Sequence, residues 1–212
     1  MLITLDLEGT LIDGELFPEL GRKLGYGRDL EYITDAAISG DLPYEEAFEM
    51  RTSIITGEST RRIREVADTI PLVPGAKETI RILRGMDLTP VIVTGGFDII
   101  ALRAATELGV DHVYCNHLDE EDGRVTGVKL PVITPNAKAD ILRSLAVKQG
   151  TPRNLCIAVG DGANDIPMLR AAGLGIAFNA TKRVREAANV SVEDRNIGVI
   201  IPFIKWHLEE NA

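Results

Sequence analysis

The sequence predicts an α/β fold: a mostly parallel sheet covered on both faces by helices, with a helical segment inserted after the first strand. Two observations lead there. From residue 75 onward, short apolar runs of strand character alternate with helical stretches. The first such run ends at Asp6 and the next starts near residue 89, a gap far longer than one βαβ crossover needs. The intervening residues therefore form a subdomain of their own.

Leu2, Ile3 and Leu5 read as a strand buried on both faces, and it gives out at Asp6. Residues 14 to 70 read as helical pieces near 15–24, 28–39, 43–56 and 59–70, separated by glycines and Pro43. In the last piece Ile63, Val66, Ala67 and Ile70 fall on one helical face. Pro71 and Pro74 mark a boundary. Beyond it the spacing predicts a helix over 75–86, a strand over 89–93, a helix over 97–109 and a strand over 112–115. Asp122-Gly123 is a two-residue hairpin turn. A helix at 137–149, a strand at 155–159, a helix at 164–172, a strand at 174–178 and a helix near 181–188 follow. The tail from about 199 to 210 is apolar, then helical.

Composition narrows the function. Of 212 residues, 45% are hydrophobic and 26% charged, enough to bury a sizeable core. The formal charge of −9, without a basic cluster, argues against nucleic acid or an anionic membrane as partner. No apolar run reaches membrane length, and the N-terminus lacks the pattern of a secretion signal. Cys115 and Cys156, both in strand-like runs, read as small buried hydrophobes in a reduced, cytoplasmic setting.

Four short stretches carry chemistry. Asp6 and Glu8 sit where the first strand ends, and in open α/β sheets ligands bind just beyond the carboxyl ends of strands. Paired acids there suit a cation or a reaction, although Asp also serves as a helix N-cap. Thr94-Gly95-Gly96 follows a strand and precedes a helix start near Phe97, which makes an anion site; glycines there serve equally to turn the chain. Lys138 lies in the first turn of a helix, where a cation opposes the helix dipole. Its placement makes sense if an anion lies in front. Finally, GDGANDIPML at 160–169 places Asp161 at a strand end and Asp165 four residues on, an oxygen-rich turn suited to Mg²⁺.

DLEGT at 6–10, TGG at 94–96, Lys138 and GDGAND at 160–165 occur in the order of the haloacid dehalogenase superfamily of phosphohydrolases. The chain resembles the phosphoserine phosphatase family in particular. The likeness extends through GGFDI at 95–99, DGRVTG at 122–127, NAK at 136–138 and GLGIAF at 173–178. It implies a three-layer Rossmann-like core, residues 1–13 and 75–212, with a helical cap subdomain at 14–74 that closes over the substrate.

The resemblance also implies roles. Asp6 would be the nucleophile that forms an aspartyl-phosphate, and Glu8 the general acid/base. Thr94, Gly95, Gly96, Lys138 and Asn164 would bind the phosphoryl group. Mg²⁺ would be held by Asp6, the backbone carbonyl of Glu8 and Asp161, with Asp165 acting through water. In the cap, Glu15 would take the substrate ammonium and Arg51 its carboxylate, with Ile38 and Tyr44 lining the pocket. The implied reaction is hydrolysis of O-phospho-L-serine, a step of serine biosynthesis, by a monomer or homodimer. Glu8 stands where the family usually has Asp, one methylene shorter. The Asp-x-Glu form keeps two alternatives open: transfer of the phosphoryl group to an alcohol, or another small phosphomonoester as substrate.

Overall fold

The computed structural model describes residues 1–211. β1 (Leu2–Leu5) is the centre of a six-stranded sheet and is hydrogen-bonded in parallel to β2 (Thr89–Phe97) on one side. On its other side lies β6 (Cys156–Gly160), also parallel. β3 (His112–Asn116) extends the sheet beyond β2. β7 (Leu174–Phe178) and β8 (Val190–Val192) extend it beyond β6, so the order is β3-β2-β1-β6-β7-β8. The chain leaves β1 and returns to the sheet on opposite sides of it, which makes the carboxyl end of β1 a topological switch point.

Alternation along each strand divides the core in two. Ile3, Leu5, Ile92, Ile157 and Val159 face one layer, with Ile80 and Leu83 of α5 (Ala76–Gly85) and Ile100 and Ala104 of α6 (Asp98–Leu108). Ile204 of α10 (Ile201–Glu210) completes that layer. Leu2, Val91, Val93 and Ala158 face the other layer. It is formed by Leu142 and Leu145 of α7 (Pro135–Gln149) and Met168 and Leu169 of α8 (Ile166–Ala171). A helix on each face leaves no side of the sheet wet, which is why its strands read as continuous apolar runs.

Between β1 and β2 stand α1 (Leu16–Leu24), α2 (Asp29–Ser39), α3 (Tyr44–Ile55) and α4 (Thr60–Ala67). β4 (Leu118–Glu121) and β5 (Arg124–Val128) form a separate hairpin. Its turn residues Asp122 and Gly123 both have positive φ, 50° and 73°, as a two-residue hairpin turn demands. No helix among the described residues is long and apolar enough to cross a membrane.

Several boundaries differ from expectation. β2 does not stop at residue 93: it runs to Phe97, with a register irregularity between Val93 and Phe97, and α6 begins at Asp98. The two glycines let the strand bulge, which turns Thr94 and Gly96 toward the sheet's carboxyl edge. α4 ends at Ala67, yet Ile70 remains buried as its face predicted. α9 spans only Lys182–Arg185 instead of 181–188, and β8 was not anticipated; three residues give too little alternation to read.

Candidate active site

The carboxyl ends of β1, β2 and β6 converge on one cavity of about 50 Å³. Asp6, Glu8, Thr94, Gly95, Gly96, Asp161 and Asn164 line its floor, and Glu15, Ile38, Tyr44 and Arg51 line its roof. Of the residues singled out in the sequence, only Lys138 and Asp165 do not line it. They lie behind the floor, 1% and 0% exposed: Lys138 touches it through Asp6, and Asp165 through the Asp161 and Gly162 amides. Four stretches spread from Asp6 to Asp165 of the chain thus meet where the strand geometry predicts.

Lys138 is the pivot of the charges. Its Nζ donates to Asp6 Oδ1 at 2.5 Å and to Asp165 Oδ1 at 2.7 Å. α7 is anchored by Thr134, whose hydroxyl accepts from the Ala137 amide, and this aims the first turn at the end of β1. Burial alone would lower the Lys138 ammonium, but the charges of Asp165 and Asp6 overrule it and hold it above the ordinary range. Asp165 is itself fixed from the other side: its Oδ2 accepts from the Asp161 and Gly162 amides at 3.2 and 3.1 Å.

One ammonium does not balance three acids. Asp6, Asp161 and Asp165 each bring a carboxylate oxygen within 4.8 Å of the others, all buried. Burial first, then the charge of Asp165, push the Asp6 carboxyl up to about 7 in spite of Lys138. Burial, with Asp6 and Asp165 next, holds Asp161 well above the usual carboxylate range. Hard oxygen donors with surplus negative charge form the donor set that a divalent cation such as Mg²⁺ accepts.

A pH dependence follows for the metal-free protein. Asp6 keeps a proton in the fold between its ordinary 3.8 and about 7, where the unfolded chain has released it. Stability is therefore fully present below 3.8 and is lost as pH rises through about 7, and Asp161 adds in the same direction. Thermal melts in chelator should give a Tm lower by a few degrees at pH 8 than at pH 5. A Tm that rose over that interval would mean that Lys138 overcomes the burial of its partners.

Three features of the site were not read from the sequence. Thr10 donates through Oγ1 to Asp161 Oδ1 at 2.9 Å and orients that carboxylate. Gly9, at φ 74°, passes so close to Asp161 that a Cβ would collide with its carboxylate. Both stand inside the DLEGT stretch, where the hydroxyl next to the turn was the available signal. The third is an aromatic cluster under the roof: Phe17 and Phe97 meet edge-on at 5.7 Å, and Phe48 lies 5.8 Å from Phe97. The Arg51 guanidinium sits 4.8 Å over the Phe17 ring.

The roof residues carry their own charge balance. Arg51 is 7% exposed and is held by Thr34 Oγ1 and the Ala47 carbonyl. Burial lowers its guanidinium, opposed by Tyr44, Glu15 and Glu8. Burial and then the neighbouring Glu8, Asp161 and Asp6 hold Glu15 well above its usual range. Glu8 is also raised by burial, though its Oε1 accepts from the Leu16 amide at 2.7 Å and so caps α1. Tyr44 stacks on Phe48 and its hydroxyl reaches toward the Gly95 carbonyl at 3.4 Å.

Comparison with known proteins agrees with this geometry. Residues 1–173 match the model of the haloacid dehalogenase-like hydrolases. A phosphoserine phosphatase of Archaeoglobus fulgidus is 36% identical over 209 residues, 98% of this chain and 61% of its own length. One of Mycobacterium tuberculosis is 40% identical over 94% of this chain and 49% of its own. The chain thus spans only about half to three-fifths of these two relatives. It spans 97% of a phosphoserine phosphatase of Methanocaldococcus jannaschii, at 35% identity over 96% of this chain. A solved phosphoserine phosphatase holding an analogue of the phospho-aspartyl intermediate superposes with a TM-score of 0.92 at 35% identity, covering 96% of this chain and 98% of its own. A substrate-bound phosphoserine phosphatase gives 0.92 at 34%, over 96% and 97%. With its sheet topology, its lysine-bridged acids and these matches together, the chain belongs to the haloacid dehalogenase-like hydrolases.

Proposed function

We propose that this hydrolase is a Mg²⁺-dependent phosphomonoesterase that releases L-serine and phosphate from O-phospho-L-serine. One observation carries the substrate: Glu15 and Arg51, an acid and a guanidinium on different roof helices and loops, line the same small cavity as Asp6. An amino acid offers the matching ammonium and carboxylate. An ammonium against Glu15 restores the charge that burial suppresses, and a guanidinium already packed on Phe17 presents its fork to a carboxylate at little entropic cost. The names of the relatives support the same substrate.

Asp6 attacks the phosphorus and forms an aspartyl-phosphate as the P–O bond to serine breaks, and Glu8 protonates the departing serine oxygen. Glu8 then takes a proton from water, which attacks the phosphorus and frees Asp6 and inorganic phosphate. Lys138 and the Thr94 hydroxyl bind phosphoryl oxygens, Asn164 assists, and Gly95 and Gly96 let the backbone approach. Asp6, Asp161 and the Glu8 carbonyl would hold Mg²⁺, with Asp165 acting through water, and the ion would supply neutralisation of the phosphoryl charge. Thr10 fixes Asp161 for that task. Residues 14–74 act as a cap on a core of 1–13 and 75–212 and keep bulk water out.

The test is phosphate release from O-phospho-L-serine with Mg²⁺ beside a panel of small phosphomonoesters. Arg51→Ala should lower kcat/KM on phosphoserine by roughly 30- to 1000-fold, as expected for a buried charge-assisted pair, and barely change turnover of an aryl phosphate. An equal loss on both would move Arg51 from substrate recognition to fold support. Phosphorylated alcohol in excess of free phosphate would turn the reading toward transfer.

A further inference from the structure

Cap and core meet at two ends of different character. At one end the α3–α4 turn adds itself to the hairpin: Gly57 N donates to Val125 O at 2.8 Å, Val125 N to Glu58 O at 2.9 Å and Thr60 N to Gly123 O at 3.0 Å. Arg124 reinforces this by donating to Gly57 O at 2.8 Å. The two linkers are also bonded, Asp13 N to Pro71 O and Val73 N to Leu11 O, and Arg103 of α6 donates to Ile70 O at 2.7 Å. Backbone pairing of this kind does not come apart one bond at a time.

At the other end, the C-terminus of α2 rests on the loop that carries Ala163 and Asn164. The bond there comes from outside the motif residues: Arg183 Nη1 of α9 donates to Gly40 O at 2.9 Å. Gly40 takes a left-handed φ of 81° and is seated so closely that a Cβ would strike the Arg183 guanidinium and lie 3.1 Å from the Ala163 Cβ. α2 has no basic residue in its last turn, so Arg183 supplies from the core the cation that a helix C-terminus favours. Its neighbours Lys182 and Arg185 pair within the core, with Glu186 and Glu193. Ala37 and Ile38, in the turn held by this contact, line the cavity.

We propose that Arg183 is a positioning residue that acts through α2, a releasable latch that holds the mouth of the cap shut, while the hairpin and linkers form the pivot. The hydrogen bond is exposed, and the other side-chain bond from the cap at the cavity, Tyr44 Oη to Gly95 O, is long at 3.4 Å, so this end can break and reform at each turnover, unlike the ladder at the opposite end. The cavity is only about 50 Å³ and Ala37 and Ile38 at the α2 end line it, so a lift of that end enlarges it and widens its mouth. The kinetic part of this inference rests on the proposed phosphomonoesterase reading; the mechanical part does not.

The experiment compares wild type, Arg183→Ala and Arg183→Lys by limited proteolysis without ligand and by steady-state kinetics with O-phospho-L-serine and an aryl phosphate. Arg183→Ala should be cut roughly 2- to 5-fold faster within 14–74, as expected for losing one exposed ionic contact, with KM raised by a similar factor. Its kcat should be unchanged or higher, its Tm unchanged, and Lys should restore most of the effect. Cleavage and KM equal to wild type would overturn the latch, as would a joint fall of Tm and kcat not rescued by Lys. Faster cleavage in a protein whose wild type turns over neither ester would leave the latch standing and sink the proposed reaction.

Discussion

Asp6→Asn should reduce phosphate release by at least about 10⁴-fold, yet leave the protein as stable as wild type, or more stable, in the presence of chelator. The amide cannot attack phosphorus, and the nearest carboxylates are engaged elsewhere: Glu8 with the Leu16 amide, Asp161 with Thr10, and Asp165 with Lys138 and two amides. The stability half of the prediction comes from charge. Removing one partner of a buried ion pair ordinarily destabilises, because it strands the other. Here three acids share one ammonium, and Asp6 is held at about 7 by burial and by Asp165. An asparagine of the same shape can still accept from Lys138 Nζ, and Lys138 keeps Asp165. The Tm of the variant in chelator, compared with wild type at pH 8, checks this. The increment that Mg²⁺ adds to wild type should be largely lost. Residual activity within 100-fold of wild type would remove Asp6 from the nucleophile's role.

What could be read in advance, and what could not, divides along a physical line. The sheet was legible because its central strands are buried on both faces, so Leu2–Leu5, interrupted only by Thr4, and Cys156–Gly160 appear as apolar runs. The convergence of Asp6 and Asp161 in the candidate site was legible because both stand just beyond strand ends in turn-like contexts that ordinary strands do not need. β8 was not, because a three-residue edge strand takes its existence from pairing with β7 and not from its own pattern. The bulge at Thr94–Gly96 was misread as a turn for a related reason: glycine permits both, and only the pairing of Val93 and Phe97 with β3 decides. The backbone pairing of residues 57–60 with the hairpin lies between segments more than 60 residues apart, neither of which carries a mark of the other. Lys138 shows the same limit from the other side. Its position opposing a helix dipole was visible, but its complete burial between two acids was a property of the fold.

That burial sets a large stability effect. Lys138→Met keeps the length of the side chain and removes the only ammonium among the clustered acids, so Asp6 and Asp165 lose their compensation at once. The expected cost is about 3–5 kcal/mol in urea unfolding with chelator at pH 8, the range for breaking a buried pair by removing one partner. The sign is opposite to that of Asp6→Asn at a distance of one hydrogen bond, because one change removes surplus charge and the other removes what offsets it. The two variants should also differ in pH response. At pH 5 Asp6 is already largely protonated in the fold, so the loss caused by Lys138→Met should shrink there. Activity should fall on the order of 10³-fold even with Mg²⁺ saturating, since the phosphoryl charge is then neutralised from one side only. A loss below about 1 kcal/mol at pH 8 would mean that solvent reaches these acids and that the buried charge cluster does not govern the stability of the fold.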